Sequence, residues 1–172
     1  MKLKSIAFSI SMALLACIPG SAQPQKLNQI GISLGTDQGA CVSSVNSVSD
    51  GFSSPVSIGS QSGGAGAGKA TISPINFTKN LDQCSATYVL DLFTGRLIPT
   101  VTITFSAAGG GPSGTPLLTL TLKDVRVESF ASAATDGSQI NEQVTLVFGA
   151  ITIKDNAAGT TVACDQTTNV CQ

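Results

Sequence analysis

The sequence predicts a mainly β domain, an antiparallel β-barrel or sandwich with one α-helix laid against it. Three observations carry this. Long segments alternate apolar and hydroxylated residues with a period of two. Twice the parity of that alternation slips by one, which in a strand means a bulge or a bend. A single stretch, 80–93, repeats its apolar residues at helical spacing.

Ile30, Ile32 and Leu34 alternate with small or polar residues and mark a first strand, which Gly35-Thr36-Asp37-Gln38-Gly39 ends as a turn. Val45 to Ser49 is a weaker strand. Gln61 to Gly68 (QSGGAGAG) has no apolar anchor and reads as a flexible loop. Ala70 to Ile75 reads as a short strand, with Pro74 arguing for an edge or a bend. The helix is expected over Asn80–Phe93. Asn80 would cap it, and Asp82 in the first turn would suit its dipole. Leu81, Cys84, Tyr88 and Leu92 form the apolar stripe, with Val89 and Phe93 beside it. Gly95 stops the helix and Pro99 prevents its resumption.

Val101, Ile103 and Phe105 then point one way and the intervening threonines the other. Ala107 to Pro116 is a glycine-rich connection. Leu118, Leu120 and Leu122 alternate with Thr119 and Thr121, and after Lys123-Asp124 the apolar parity moves to Val125 and Val127. The second slip separates Val144, Leu146 and Phe148 from Ile151 and Ile153, with Gly149 between. Two such bends are what a sheet needs to curl towards a barrel. Asp136-Gly137 and Asn156 to Gly159 punctuate the remaining connections.

The N-terminus reads as a signal peptide over residues 1–22: Lys2 and Lys4, an apolar Ile6–Ile18, then Gly20-Ser21-Ala22. The mature chain would be residues 23–172, secreted to the exterior. Leu14-Leu15-Ala16-Cys17 offers a rival, a lipoprotein anchored through Cys17, for which Leu15 is an awkward residue. Of five cysteines, either route sets Cys17 apart and leaves Cys41, Cys84, Cys164 and Cys171. An even number in an oxidising compartment points to disulfides. Three pairings are possible. Cys164 and Cys171 flank a short polar loop and are expected to pair, leaving Cys41 with Cys84.

Composition narrows the function. The chain has 9 Lys+Arg, 10 Asp+Glu and no His, so it has no basic patch for nucleic acid and no histidine for a Ser-His or Cys-His nucleophile. The cysteines lack the paired spacing of a zinc site, and no metal or cofactor is expected. Gly63 to Lys69 (GGAGAGK) approaches a phosphate-binding loop, but Ala70 stands where Ser or Thr must hold magnesium. Lys79, Asp82, Asp91, Asp124 and Glu128 are the candidates for a Ser-Lys or carboxylate site. Asp124 and Glu128, four apart on a strand, would share a face. The plainer reading of these charges is solvated or interface charge. Tyr88 reads as core packing.

Three stretches, in order, resemble the haemolysin-coregulated protein (Hcp) family. They are Ala70 to Phe105 with Thr78-Lys79-Asn80-Leu81-Asp82 and Thr94-Gly95-Arg96-Leu97-Ile98-Pro99, Leu117 to Phe130, and Asn141 to Ile153. The resemblance runs from about Ile30 to Ile153. It implies an antiparallel β-barrel of two packed sheets with one flanking α-helix. It also implies homo-hexameric rings that stack into the tube of the type VI secretion system, meeting a spike protein and carrying effector cargo. No catalytic residue follows from it. No membrane partner is expected unless Cys17 is lipidated. The alternative is an exported monomeric binding module that keeps the fold without the assembly. The threonine-rich, nearly uncharged strand faces would suit packing against copies of the chain.

Overall fold

The structure, a computed structural model, describes residues 27–36, 39–53, 71–107 and 116–172. Its elements are β1 (Leu27–Thr36), β2 (Gly39–Ser49), β3 (Phe52–Ser53), β4 (Thr71–Ile72), β5 (Ile75–Asn80), α1 (Ser85–Thr94), β6 (Ile98–Ala107), β7 (Pro116–Ala133), β8 (Asn141–Val147), β9 (Ala150–Asp155), β10 (Thr160–Asp165) and β11 (Val170–Cys171). Residues 1–22, the loop at Gln61–Gly68, the GGAGAGK stretch and the glycines after Ala107 lie outside the described residues.

The main sheet runs β11-β10-β9-β7-β6-β1-β2-β5-β8, and a further β7–β8 pairing closes the last six of these into an antiparallel barrel. The long β7 makes this possible. Its first half pairs with β6 on one edge and β9 on the other, and its second half pairs with β8. β8 and β9 therefore run end to end along one edge of β7. The two parity slips meet where they join. Asp124 turns left-handed (φ 54), and the Gly149 N–H donates to the Lys123 carbonyl at 2.9 Å. One kink thus re-aims two paired strands, keeping Leu120 and Leu122 inside before it and Val125 and Val127 inside after it.

The core is the barrel interior. Ile32 and Leu34 of β1, Ile75 and Phe77 of β5, Val101 and Ile103 of β6, and Val144 and Leu146 of β8 are all buried there. Each aliphatic side chain of this kind contributes about 1.5–3 kcal/mol on burial. Phe105, Leu118 and Ile153 pack only partly against the core.

Several expectations change. The weak strand at Val45 is part of an eleven-residue β2. The expected strand over Ala70–Ile75 divides: Thr71 and Ile72 pair with Ser53 and Phe52, and Ile75 opens a separate strand after Pro74. Asn80 is not a helix cap. It ends β5 opposite Asn141, with side-chain hydrogen bonds to Asn46 and Gln139. The helix begins at Ser85, and Cys84 stands at its N-cap without a side-chain cap bond. The Asp82 carboxylate takes that role from two residues back, accepting the Cys84 N–H at 2.8 Å. Leu81 and Phe93, expected on or beside the buried stripe, are exposed. Cys84 and Tyr88 are buried as the stripe required and Leu92 packs partly against the core, while Ser85 and Asp91 join them on the inward side. Gly95 ends it in the left-handed conformation (φ 63), as its position suggested.

Cys41 is bonded to Cys84 across Cα atoms 5.8 Å apart, and Cys164 to Cys171 across 4.1 Å.

Candidate functional site

Under the start of α1 lies a buried cluster of charge. On β5, Ile75, Phe77 and Lys79 point inward in turn, so the period of the strand carries a lysine into the core. On β8, Glu142 precedes Val144 and Leu146 on the inward side for the same reason. Register places Lys79 opposite Glu142. The Lys79 Nζ stands 2.6 Å from Glu142 Oε2 and 2.8 Å from Asp82 Oδ1, and it donates to Ser85 Oγ at 2.9 Å. Ser85 Oγ donates in turn to Glu142 Oε2 at 2.7 Å and accepts the Asp82 N–H at 3.1 Å. The Tyr88 ring covers the ammonium with its centroid 5.5 Å away, and Phe77 tilts against that ring.

The arrangement is a clasp between helix and barrel rather than a catalytic pair. Two carboxylates hold the Lys79 ammonium, so it has no lone pair with which to activate Ser85. The Ser85 hydroxyl is committed within the cluster and buried. Burial alone would raise the Asp82 carboxyl, but hydrogen bonds from Lys79 and from the Cys84 N–H outweigh it and hold that carboxyl below its ordinary value. Burial pushes the Tyr88 phenol up, and the neighbouring carboxylates add to that rise. A second ion pair secures the other end of the helix. Arg96 meets buried Asp91 through Nε at 2.7 Å and Nη2 at 3.1 Å.

Among the described residues, two outer surfaces bear on partners. Across β1, β6, β7 and β9, one row of paired residues reads Ser33, Thr102, Thr121 and Thr152, and the next reads Gly31, Thr104, Thr119 and Lys154. Within such a row, adjacent strands set side chains about 4.8 Å apart. The second surface is an apolar ridge of Leu90, Phe93 and Leu97 at the C-terminal end of α1, where Phe93 is 84% exposed.

The other sequence-derived candidates fall elsewhere. Lys79 and Asp91 are fully buried and paired, so their reading as solvated or interface charge is corrected. Asp124 and Glu128 are both exposed on the outward parity of β7, with Val125 and Val127 buried between them. Ser85, Glu142 and Arg96 went unselected. For Glu142 the signal was its parity with Val144 and Leu146. Ser85 carried none, because its role depends on where the helix begins. Among the described residues no group of three or more His, Cys, Asp or Glu side chains could hold a metal ion.

A family model described as type VI secretion system effector, Hcp, matches residues 36–154. No curated protein matches the chain. Among solved structures, a type six secretion system protein superposes with a TM-score of 0.71 at 19% identity, covering 84% of this chain and 99% of the other. Hcp1 from Salmonella typhimurium gives 0.66 at 17% identity, covering 84% and 98%. A chain in the anti-feeding prophage baseplate, a six-fold symmetrised assembly, gives 0.56 at 9% identity, covering 77% and 96%. At these identities the likeness to the solved structures is one of fold.

Proposed function

This chain belongs to the Hcp family of type VI secretion system effectors, and from that premise we propose that it is a self-assembling structural subunit that forms hexameric rings and stacks them into a tube. The observation that carries this reading is the closed barrel whose outer surface combines an apolar ridge with broad rows of hydroxyls. Exposed large apolar side chains grouped at the end of α1 and in the segment that follows it mark an interaction site. A hydroxylated sheet face with few charges packs against a copy without burying unpaired charge. The ring is a heterologous, head-to-tail contact that closes on itself, so ridge and sheet face need not be self-complementary. The role is non-enzymatic: the serine–lysine contact of the clasp is used up inside the fold.

Residues 1–22 are a leader that sends residues 23–172 out of the cell, with lipidation at Cys17 as the rival processing. A spike protein at the tip and effector cargo in the lumen are the partners that such a tube would meet. Negative-stain electron microscopy of the purified, oxidised chain tests the assembly. Six-fold rings or stacked tubes are expected. A uniform monomer over a wide concentration range would overturn the reading and leave a monomeric binding module of the same fold.

A further inference from the structure

The barrel wall has a seam. β2 pairs with β1 from Gly39 to Val45, but its pairing with β5 begins only at Val45. On that side the stretch before Val45 has no strand partner among the described residues. The turn leading into α1 lies there instead, leaving a groove of about 390 Å³ lined by Val42, Ser44, Leu81, Asp82 and Gln83. The Cys41–Cys84 disulfide crosses this seam. Cys84 is fully buried, and Cys41 packs against the core. The Cys84 N–H donates to the Asp82 carboxylate of the clasp, and the Tyr88 N–H donates to the Cys84 carbonyl.

We propose that the Cys41–Cys84 bond is a maturation latch: it closes the seam after export, and the subunit becomes competent to assemble only once it has formed. This rests on the assembly reading above. Three features support it. The bond stands where the other strands of the barrel have a hydrogen-bonded ladder, so reduction leaves that length of wall without a backbone ladder among the described residues. It anchors the residue that immediately precedes α1, so it fixes the register of the helix that presents Leu90 and Phe93. It also holds Cys84, whose N–H donates to the Asp82 carboxylate of the clasp at 2.8 Å. The step is a thiol–disulfide exchange. The Cys41 and Cys84 thiols form one S–S bond, losing two protons and two electrons to an oxidised dithiol or oxidised glutathione, which departs as two thiols. The other disulfide has no such role. Cys164 and Cys171 face each other within one hairpin that Ala163 and Gln172 already hold by two backbone hydrogen bonds.

The test compares the full chain produced with export and kept oxidised, the same protein under mild reductant and after reoxidation, the Cys41→Ser/Cys84→Ser variant, and the Cys164→Ser/Cys171→Ser variant. Amide hydrogen exchange is read at residues 79–94 and assembly by light scattering and microscopy. The latch predicts at least tenfold faster exchange over 79–94 on reduction or in the Cys41→Ser/Cys84→Ser variant. It also predicts loss of rings in both, recovery of protection and rings on reoxidation, and rings in the Cys164→Ser/Cys171→Ser variant. Rings or unchanged protection in the reduced protein, or in the Cys41→Ser/Cys84→Ser variant, would overturn it. Should the oxidised wild type form no rings at all, the assembly reading fails, and the exchange data alone decide whether the seam opens.

Discussion

Replacing Glu142 with Gln removes one charge from the clasp and leaves its shape. Lys79 then keeps Asp82, whose side chain is 26% exposed, the hydroxyl of Ser85 and the Asn80 carbonyl. Removing one member of a buried ion pair costs about 3–5 kcal/mol, and here the surviving charge loses its fully buried partner and keeps only the partly exposed one. For a domain of this size each kcal/mol moves the melting temperature by about 2–4 °C, so a fall of roughly 6–20 °C is expected. The double variant Lys79→Met/Glu142→Leu removes both charges and fills the space with apolar atoms, and should stay within about 1 kcal/mol of wild type or exceed it. The assay is urea unfolding followed by tyrosine fluorescence. The chain has one tyrosine and no tryptophan, so the signal comes from Tyr88, against the clasp itself. A loss below about 1 kcal/mol in Glu142→Gln would refute the claim that the buried Lys79 charge depends on Glu142. So would a double variant that loses more than the single one.

Other outcomes follow from the same geometry. The Asp82 carboxyl lies below its ordinary 3.8, so its contribution should be complete above that pH and lost as the pH falls through the lower folded value. An Asp82→Asn variant should show a flatter acid limb in urea midpoints measured against pH. The Tyr88 phenol is raised above its ordinary 10.0, so its stabilisation is complete below pH 10 and lost above it. Phenolate absorbance should therefore appear together with unfolding, and Tyr88→Phe should remove the alkaline limb. A Cβ on Gly149 would stand 3.3 Å from the Asp124 Cβ, so Gly149→Ala should cost about 1–3 kcal/mol by calorimetry. Asp124→Gly should stabilise by about 1 kcal/mol by relieving the left-handed backbone. Phe93→Glu should leave monomer stability within about 0.5 kcal/mol, as exposed substitutions do, while abolishing rings seen by light scattering.

Much of the barrel was legible because period two is unambiguous when one face is buried. Val101 and Ile103, Leu120 and Leu122, and Val144 and Leu146 stand inside as their alternation required. Both parity slips were visible as well. That Asp124 and Gly149 meet at a single kink was not, because pairing between strands leaves no trace in either strand alone. The start of the helix was misplaced for a definable reason. Asn80 and Asp82 are good capping residues locally, but ladder pairing of Asn80 with Asn141 keeps the backbone extended beyond the first of them. The clasp was half legible. Lys79 and Glu142 both lie on the apolar parity of their strands, and the general rarity of buried charge argued against taking that pattern literally. Only pairing, which the register supplies, makes such burial tolerable.

The closing of the barrel also has a kinetic consequence. β1 and β2 pair locally, as do β6 and β7, but β1 must find β6, and β5 must find β8 with Ile75 opposite Leu146. No early segment can complete a wall until the last third of the chain has been made. Pairings of such long sequence separation fold slowly. A nascent chain with this wiring stays open for as long as its C-terminal strands are missing, and an open chain is what a translocation channel can thread.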